Sequence, residues 1–298
     1  MTFSGADTGQ LRVIGSERMR VVVDHPEAHG PVLVFCNGMG TSLDYWDPVI
    51  AALPDLTCIR FDRPGLGGSA ESPVDATDIR VEVERVLSVA DGVVTPRRPL
   101  IAVGHSYGGI VAETAARLHP DRVSGLVLVD GTDPEQHAND DTRLESVVAA
   151  AISTAVKVPG FARLVGSAVE RVATHSTTVA ANGPRLTSEQ RALVTSRSHI
   201  RNLFREDLRL PAHCRQVIEI QQAMPFPHIP VVLLVGSEAR TVLGTKHATS
   251  WVSLNARRVE SFGDLARLQI LRSAHLMMFD VPIDVAEAIR DVAQGGER

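Results

Sequence analysis

Gly104-His105-Ser106-Tyr107-Gly108 sets a hydroxyl between two glycines, each two residues away. The run Leu100–Val103 before it is apolar, and Ile110–Leu118 after it has a helical pattern, so the five residues read as a strand-to-helix turn. A serine on such a turn is held with its hydroxyl above the sheet. Glycines at the flanking positions remove side chains that would collide where strand and helix nearly touch. The helix N-terminus adds a positive dipole and a free N–H beside the hydroxyl. Ser106 is therefore expected to be a nucleophile rather than a structural turn serine.

A serine hydroxyl needs a base, and imidazole has the right ordinary pKa. The chain has 11 histidines, so type alone selects none. His275, in Ser273-Ala274-His275, stands out by place: it follows the last expected strand and precedes Pro282 and an expected helix over Val285–Val292. A tetrahedral intermediate also needs two N–H donors for its oxyanion. Tyr107 N–H is one candidate, and Met39 N–H, in the loop Cys36-Asn37-Gly38-Met39-Gly40, is the other.

These residues must be positioned by a framework, and its pattern is α/β. Short β-branched runs alternate with helical stretches, which predicts a mostly parallel sheet covered by helices on both faces. The expected strands are Leu11–Ile14 paired with Met19–Asp24, then Val32–Cys36, Thr57–Asp62, Leu100–Gly104, Val123–Asp130, Val231–Val235 and Arg267–Leu271. The rhythm breaks after Asp130, where the next expected strand is far off and the composition is helical. Helices are expected over Val147–Val156 and Phe161–Val172. A third follows the Thr187/Gln190 capping box, before Leu193, Val194, Ile200, Leu203, Phe204 and Leu208. Pro159, Pro184 and Pro211 are expected to separate short helices. The reading is core residues 1–132, a helical insertion over 133–228 lying on the strand ends, and core residues 229–298. The Ala, Val and Leu content of the insertion predicts an apolar pocket beneath it. Arg191, Arg197, Arg201, Arg205 and Arg209 read as a solvated helix face paired with nearby acids.

A formal net charge of −5 gives no electrostatic reason to expect a nucleic-acid partner. Cys36, Cys58 and Cys214 are odd in number and far apart, which fits reduced thiols and shows no metal-ligand spacing. Met1–Gln10 lacks a signal-peptide pattern, and no apolar run approaches the roughly 20 residues that span a bilayer. A soluble, cytoplasmic protein without stable membrane insertion is expected, and the chemistry requires neither cofactor nor metal.

With these elements in order, the sequence resembles the α/β-hydrolase superfamily, in its esterase- and lipase-like branch with a helical cap. Asp62-Arg63-Pro64-Gly65-Leu66-Gly67-Gly68-Ser69 looks like the D-x-x-G-x-G-x-S turn common there after the fourth strand. Ala274-His275-Leu276-Met277-Met278-Phe279-Asp280-Val281-Pro282 looks like its histidine loop. The resemblance implies acyl transfer to water from an ester or thioester of a small, apolar acyl group, with amide, lactone or carbon–carbon bond hydrolysis, or ligand binding without turnover, as alternatives. Two departures stand out. The oxyanion loop begins Asn37-Gly38 where His-Gly is usual, and the position three residues after Gly236, usually Asp, is Ala239. Three carboxylates remain as the acid partner of His275: Glu238, one residue early; Asp130, at the end of the preceding strand; and Asp133 in the same loop. Glu238 ranks slightly ahead of Asp130.

Overall fold

The computed structural model describes residues 9–94, 97–158, 160–168, 179, 186–238 and 248–295. Eight strands form one sheet in the order β1-β2-β4-β3-β5-β6-β7-β8. They are β1 (Gln10–Ile14), β2 (Glu17–Asp24), β3 (Val32–Cys36), β4 (Thr57–Phe61), β5 (Leu100–His105), β6 (Val123–Val129), β7 (Val231–Gly236) and β8 (Ala266–Leu271). β1 with β2 and β2 with β4 are antiparallel, and the remaining pairs are parallel.

Side chains alternate across a strand, so a strand covered on both faces must be apolar throughout. β3 shows this directly. Val32, Val34 and Cys36 enter one core, while Leu33 and Phe35 enter the other. β5 and β7 divide in the same way. The first core is covered by α2 (Ile79–Val93), α3 (Tyr107–Leu118) and the C-terminal half of the long helix between β6 and β7. The second is covered by α1 (Asp47–Ile50) and, beyond β8, by the C-terminal helix that packs Val285, Ile289 and Val292 inward. α2 was not anticipated from the sequence, although Asp78 caps it and Ile79, Val83, Val86, Leu87 and Ala90 form its buried stripe.

Between β6 and β7 the described regular elements are helices: α4 (Pro134–His137), α5 (Arg143–Ala155), residues 161–168, α6 (Ser188–Val194) and α7 (Arg197–Ala223). The expected capping box forms, with Thr187 and Gln190 exchanging both bonds. Pro211 does not separate two helices, contrary to the sequence reading. It lies inside α7, which runs unbroken for 27 residues. A proline within a helix forfeits a bond and costs about 3 kcal/mol. Leu210, Cys214, Val217 and Ile220 bury themselves in the first core on either side of it and offset that loss. Pro159 and Pro184 lie outside the described residues. Arg201 and Arg205 meet Glu71, and Arg209 meets Asp75, as a solvated face paired with acids requires. α8 (Ala248–Arg258), α9 (Met277–Asp280) and α10 (Pro282–Ala293) complete the chain. Among the described residues, no helix is long and apolar enough to cross a membrane.

Candidate active site

Ser106 occupies the turn between β5 and α3 with φ 51° and ψ −122°, a conformation that non-glycine residues rarely adopt. The glycines beside it have steric reasons. A Cβ at Gly104 would lie 2.4 Å from the Gly108 carbonyl oxygen, and one at Gly108 would lie 2.0 Å from that of Cys36. The Ser106 carbonyl is anchored by the N–H groups of Gly109 (2.8 Å) and Thr132 (3.0 Å).

His275 follows β8, and its Nδ1 lies 2.6 Å from Asp130 Oδ2. Asp130 is buried directly after β6 and, like Ser106, sits at positive φ, 45°. Two such residues at the ends of adjacent parallel strands mark strain concentrated at one site. The other Asp130 oxygen, Oδ1, accepts from Trp251 Nε1 at 2.8 Å and from the Gly236 N–H at 3.2 Å. Glu238, ranked first from the sequence, is not brought to His275. Its carboxylate meets Arg272 at 3.4 Å, on an exposed side chain, while its N–H is spent on the Ser273 carbonyl. Asp133 serves its own loop instead, where its Oδ1 accepts from the Glu135 N–H and starts α4. Trp251 was missed by sequence reasoning. Nothing near it in the chain signals a bond to a residue 121 positions away.

The histidine loop is fastened from below. Asp280 Oδ2 accepts from the Ala274 N–H at 2.9 Å and from Ser273 Oγ at 3.1 Å. His105, next to the serine, is buried and places Nε2 3.0 Å from the His275 carbonyl, to which it donates. Burial, then the neighbouring His275, holds the His105 imidazole well below the ordinary histidine range, so it stays neutral. Its ring fills the space beside Gly38, where a Cβ would lie 2.5 Å from His105 Nδ1.

The expected oxyanion donors are available. Among the described residues nothing accepts from Met39 N–H or Tyr107 N–H. Asn37, the departure from His-Gly, is pinned as a spacer. Its Nδ2 donates to the Phe61 carbonyl at 2.8 Å, and its Oδ1 accepts from Trp46 Nε1 at 3.0 Å. The Tyr107 ring points away from the cleft. Its hydroxyl donates to His213 Nδ1 at 2.9 Å, because His213 Nε2 is committed to the Ala76 carbonyl.

Ser106, His275 and Met39 line an open cleft of about 190 Å³, walled on the side of the inserted helices by Val194, Ile200 and Leu203. His199 also faces it, yet both of its ring nitrogens are used. Nδ1 accepts from the Gly67 N–H at 3.0 Å, and Nε2 donates to the Gly40 carbonyl at 2.9 Å. Burial lowers this imidazole to about 4. The wall is thus apolar in effect. It is built by α6, α7 and Gly166, not by α5, whose Leu144, Val147 and Val148 face outward.

Known proteins resemble this chain in part or in fold. A monoacylglycerol lipase from Homo sapiens is 32% identical over 102 residues, 34% of this chain and 30% of that one. A poly(3-hydroxyalkanoate) depolymerase from Ectopseudomonas oleovorans is 34% identical over 119 residues, 39% of this chain and 40% of that one. The chain spans less than half the length of these curated relatives. Among solved structures, an enol-lactonase from Burkholderia xenovorans LB400 superposes with a TM-score of 0.61 at 18% identity, over 94% of this chain and 98% of that one, which is a likeness of fold alone. The model of the alpha/beta hydrolase family matches residues 33–288, from β3 into α10, and the chain belongs to that family.

Proposed function

We propose that this hydrolase cleaves an ester or thioester of a small apolar acyl group through an acyl-enzyme on Ser106, with His275 as base and Asp130 as its acid partner. The observation that carries the reading is the 2.6 Å contact between His275 Nδ1 and Asp130 Oδ2, on a histidine that shares a cleft with Ser106 at its strained turn. Because Nδ1 holds its proton toward Asp130, Nε2 is the ring nitrogen left to take one. Ser106 Oγ attacks the carbonyl carbon while Nε2 removes its proton. The oxyanion is met by Met39 and Tyr107 N–H. Collapse expels the alcohol or thiol, which receives that proton. Water then attacks the acyl-enzyme with the same base and releases the acid and Ser106. Asp130 orients the ring and stabilises its cation without becoming protonated. Within the insertion 133–228, α6 and the N-terminal half of α7 act as a helical cap that contacts the acyl group. The names of the lipase and depolymerase relatives support an ester substrate.

Nitrophenyl esters across acyl lengths test the reading. Ser106→Ala is expected to lose on the order of 10⁴-fold or more in turnover while remaining folded. A folded Ser106→Ala protein with full activity sinks the mechanism. A fluorophosphonate probe that fails to label the wild-type serine favours a binding protein instead.

A further inference from the structure

Arg63 is buried behind the loop that carries Met39. Its Nη1 donates to the Asn37 carbonyl at 2.6 Å and its Nη2 to the Gly38 carbonyl at 2.8 Å. Its Nε and Nη2 also grip both carboxylate oxygens of Glu206, at 2.6 and 2.9 Å. Glu206 belongs to α7 and is 143 positions away in the chain. Its Oε2 accepts a further bond from the Gly40 N–H at 3.0 Å. Thr41 adds to the hold on Gly38, donating to its carbonyl from Oγ1 (3.0 Å) and N–H (3.2 Å).

The geometry of the peptide group turns these contacts into aim. In a planar trans peptide the C=O and the N–H point in opposite directions. The Gly38 carbonyl and the Met39 N–H belong to one peptide, so holding the carbonyl toward Arg63 and Thr41 directs the N–H the other way. The next peptide, between Met39 and Gly40, is held at its N–H by Glu206. Both planes flanking Met39 are therefore fixed by one ion pair. The Tyr107 N–H is aimed by the same device, since the Ser106 carbonyl of its own peptide is anchored by Gly109 and Thr132. A cation on the Gly38 carbonyl also polarises that peptide and strengthens Met39 as a donor.

We propose that Arg63 and Glu206 are positioning residues of the oxyanion hole, a strut through which the seating of α7 sets the direction of the Met39 N–H. The proposal rests on the serine-hydrolase reading above. A buried ion pair that served folding alone behaves differently, because replacing both partners by apolar residues is often neutral for stability and has no reason to alter the transition state.

The test compares wild type, Arg63→Lys and the double variant Arg63→Met/Glu206→Leu on a nitrophenyl ester, and with a trifluoromethyl ketone whose hemiketal oxyanion occupies the hole. Lysine keeps the charge but cannot span two carbonyls and a carboxylate. The double variant strands neither charge. For both, kcat and ketone affinity are expected to fall in parallel by about 10–100-fold, with KM nearly unchanged, since the donor is needed only once the oxyanion forms. Folded variants with wild-type kcat and ketone affinity, or a loss confined to KM, overturn the strut while Ser106-dependent hydrolysis still stands. Hydrolysis undiminished in Ser106→Ala overturns the serine-hydrolase reading and the strut with it.

Discussion

The two oxygens of Asp130 have different duties: Oδ1 is clamped by Trp251 and Gly236, which leaves Oδ2 facing His275. Asp130→Asn keeps the shape and removes the charge, so turnover is expected to fall by about 10³–10⁴-fold, whereas Glu238→Gln is expected to change little. Ester kinetics on the two purified variants decide between them, and a large loss in Glu238→Gln alone would reverse the assignment. Trp251→Phe, which deletes one of the two clamps, is expected to lower kcat on the order of tenfold, as other outer partners of a catalytic ligand do. The strained turn at Ser106 and the place of His275 in the same cleft were legible because their signals are local, a glycine-flanked turn and a position after the last strand. The acid was not. Asp130 and Glu238 carry the same chemistry, and the choice depends on which strand end faces the imidazole. That is a property of sheet order, and the Glu238 side chain meets exposed Arg272 instead.

At the level of elements, the β5–α3 turn has no room to spare. Gly108→Ala would drive a methyl into backbone at 2.0 Å on the β3 side, which cannot yield as a side chain end would. A loss at the upper end of the roughly 1–3 kcal/mol typical of overpacking is expected, read as a shift in urea midpoint. α7 has a milder dependence. Its N-cap Ser196 accepts from the His199 N–H at 3.2 Å, and Ser196→Ala is expected to cost about 1 kcal/mol in the same assay. The strands were legible nearly to the residue, most plainly β3, β5 and β7, whose double cover keeps them apolar. The long helix was misread at Pro211, since local propensity speaks before packing does. α8 was unmarked altogether, and it delivers Trp251.

At the scale of the molecule, three histidines are folded in as neutral groups. Burial pulls His105, His199 and His213 below the ordinary 6.5, His199 to about 4. Between pH 6.5 and 4 the unfolded chain therefore binds protons that the native His199 refuses. More protons on the unfolded side mean that stability rises with pH and is lost as pH falls through that window, by up to about 1.4 kcal/mol per pH unit for each such histidine. Asp62 and Glu82, pushed up by burial, oppose this trend at its acidic end. Urea midpoints measured across the window should fall as the solution is acidified, and fall less steeply in His199→Gln. A profile that stays flat would argue against neutral burial.

That Asp130 closes β6 has a consequence for how the machinery is assembled along the chain. On the proposed roles, Met39, Arg63, Ser106 and Asp130 all precede the inserted helices in the sequence, and His275 follows them. A nascent polypeptide released from the ribosome tunnel as far as β7 would carry the proposed nucleophile, oxyanion donors and acid without the proposed base. The same order makes the gene divisible: a cut between α5 and α6 yields one fragment with the serine and another with the histidine, each silent by itself, and recovered hydrolysis on co-expression becomes a direct gauge of fragment reassociation.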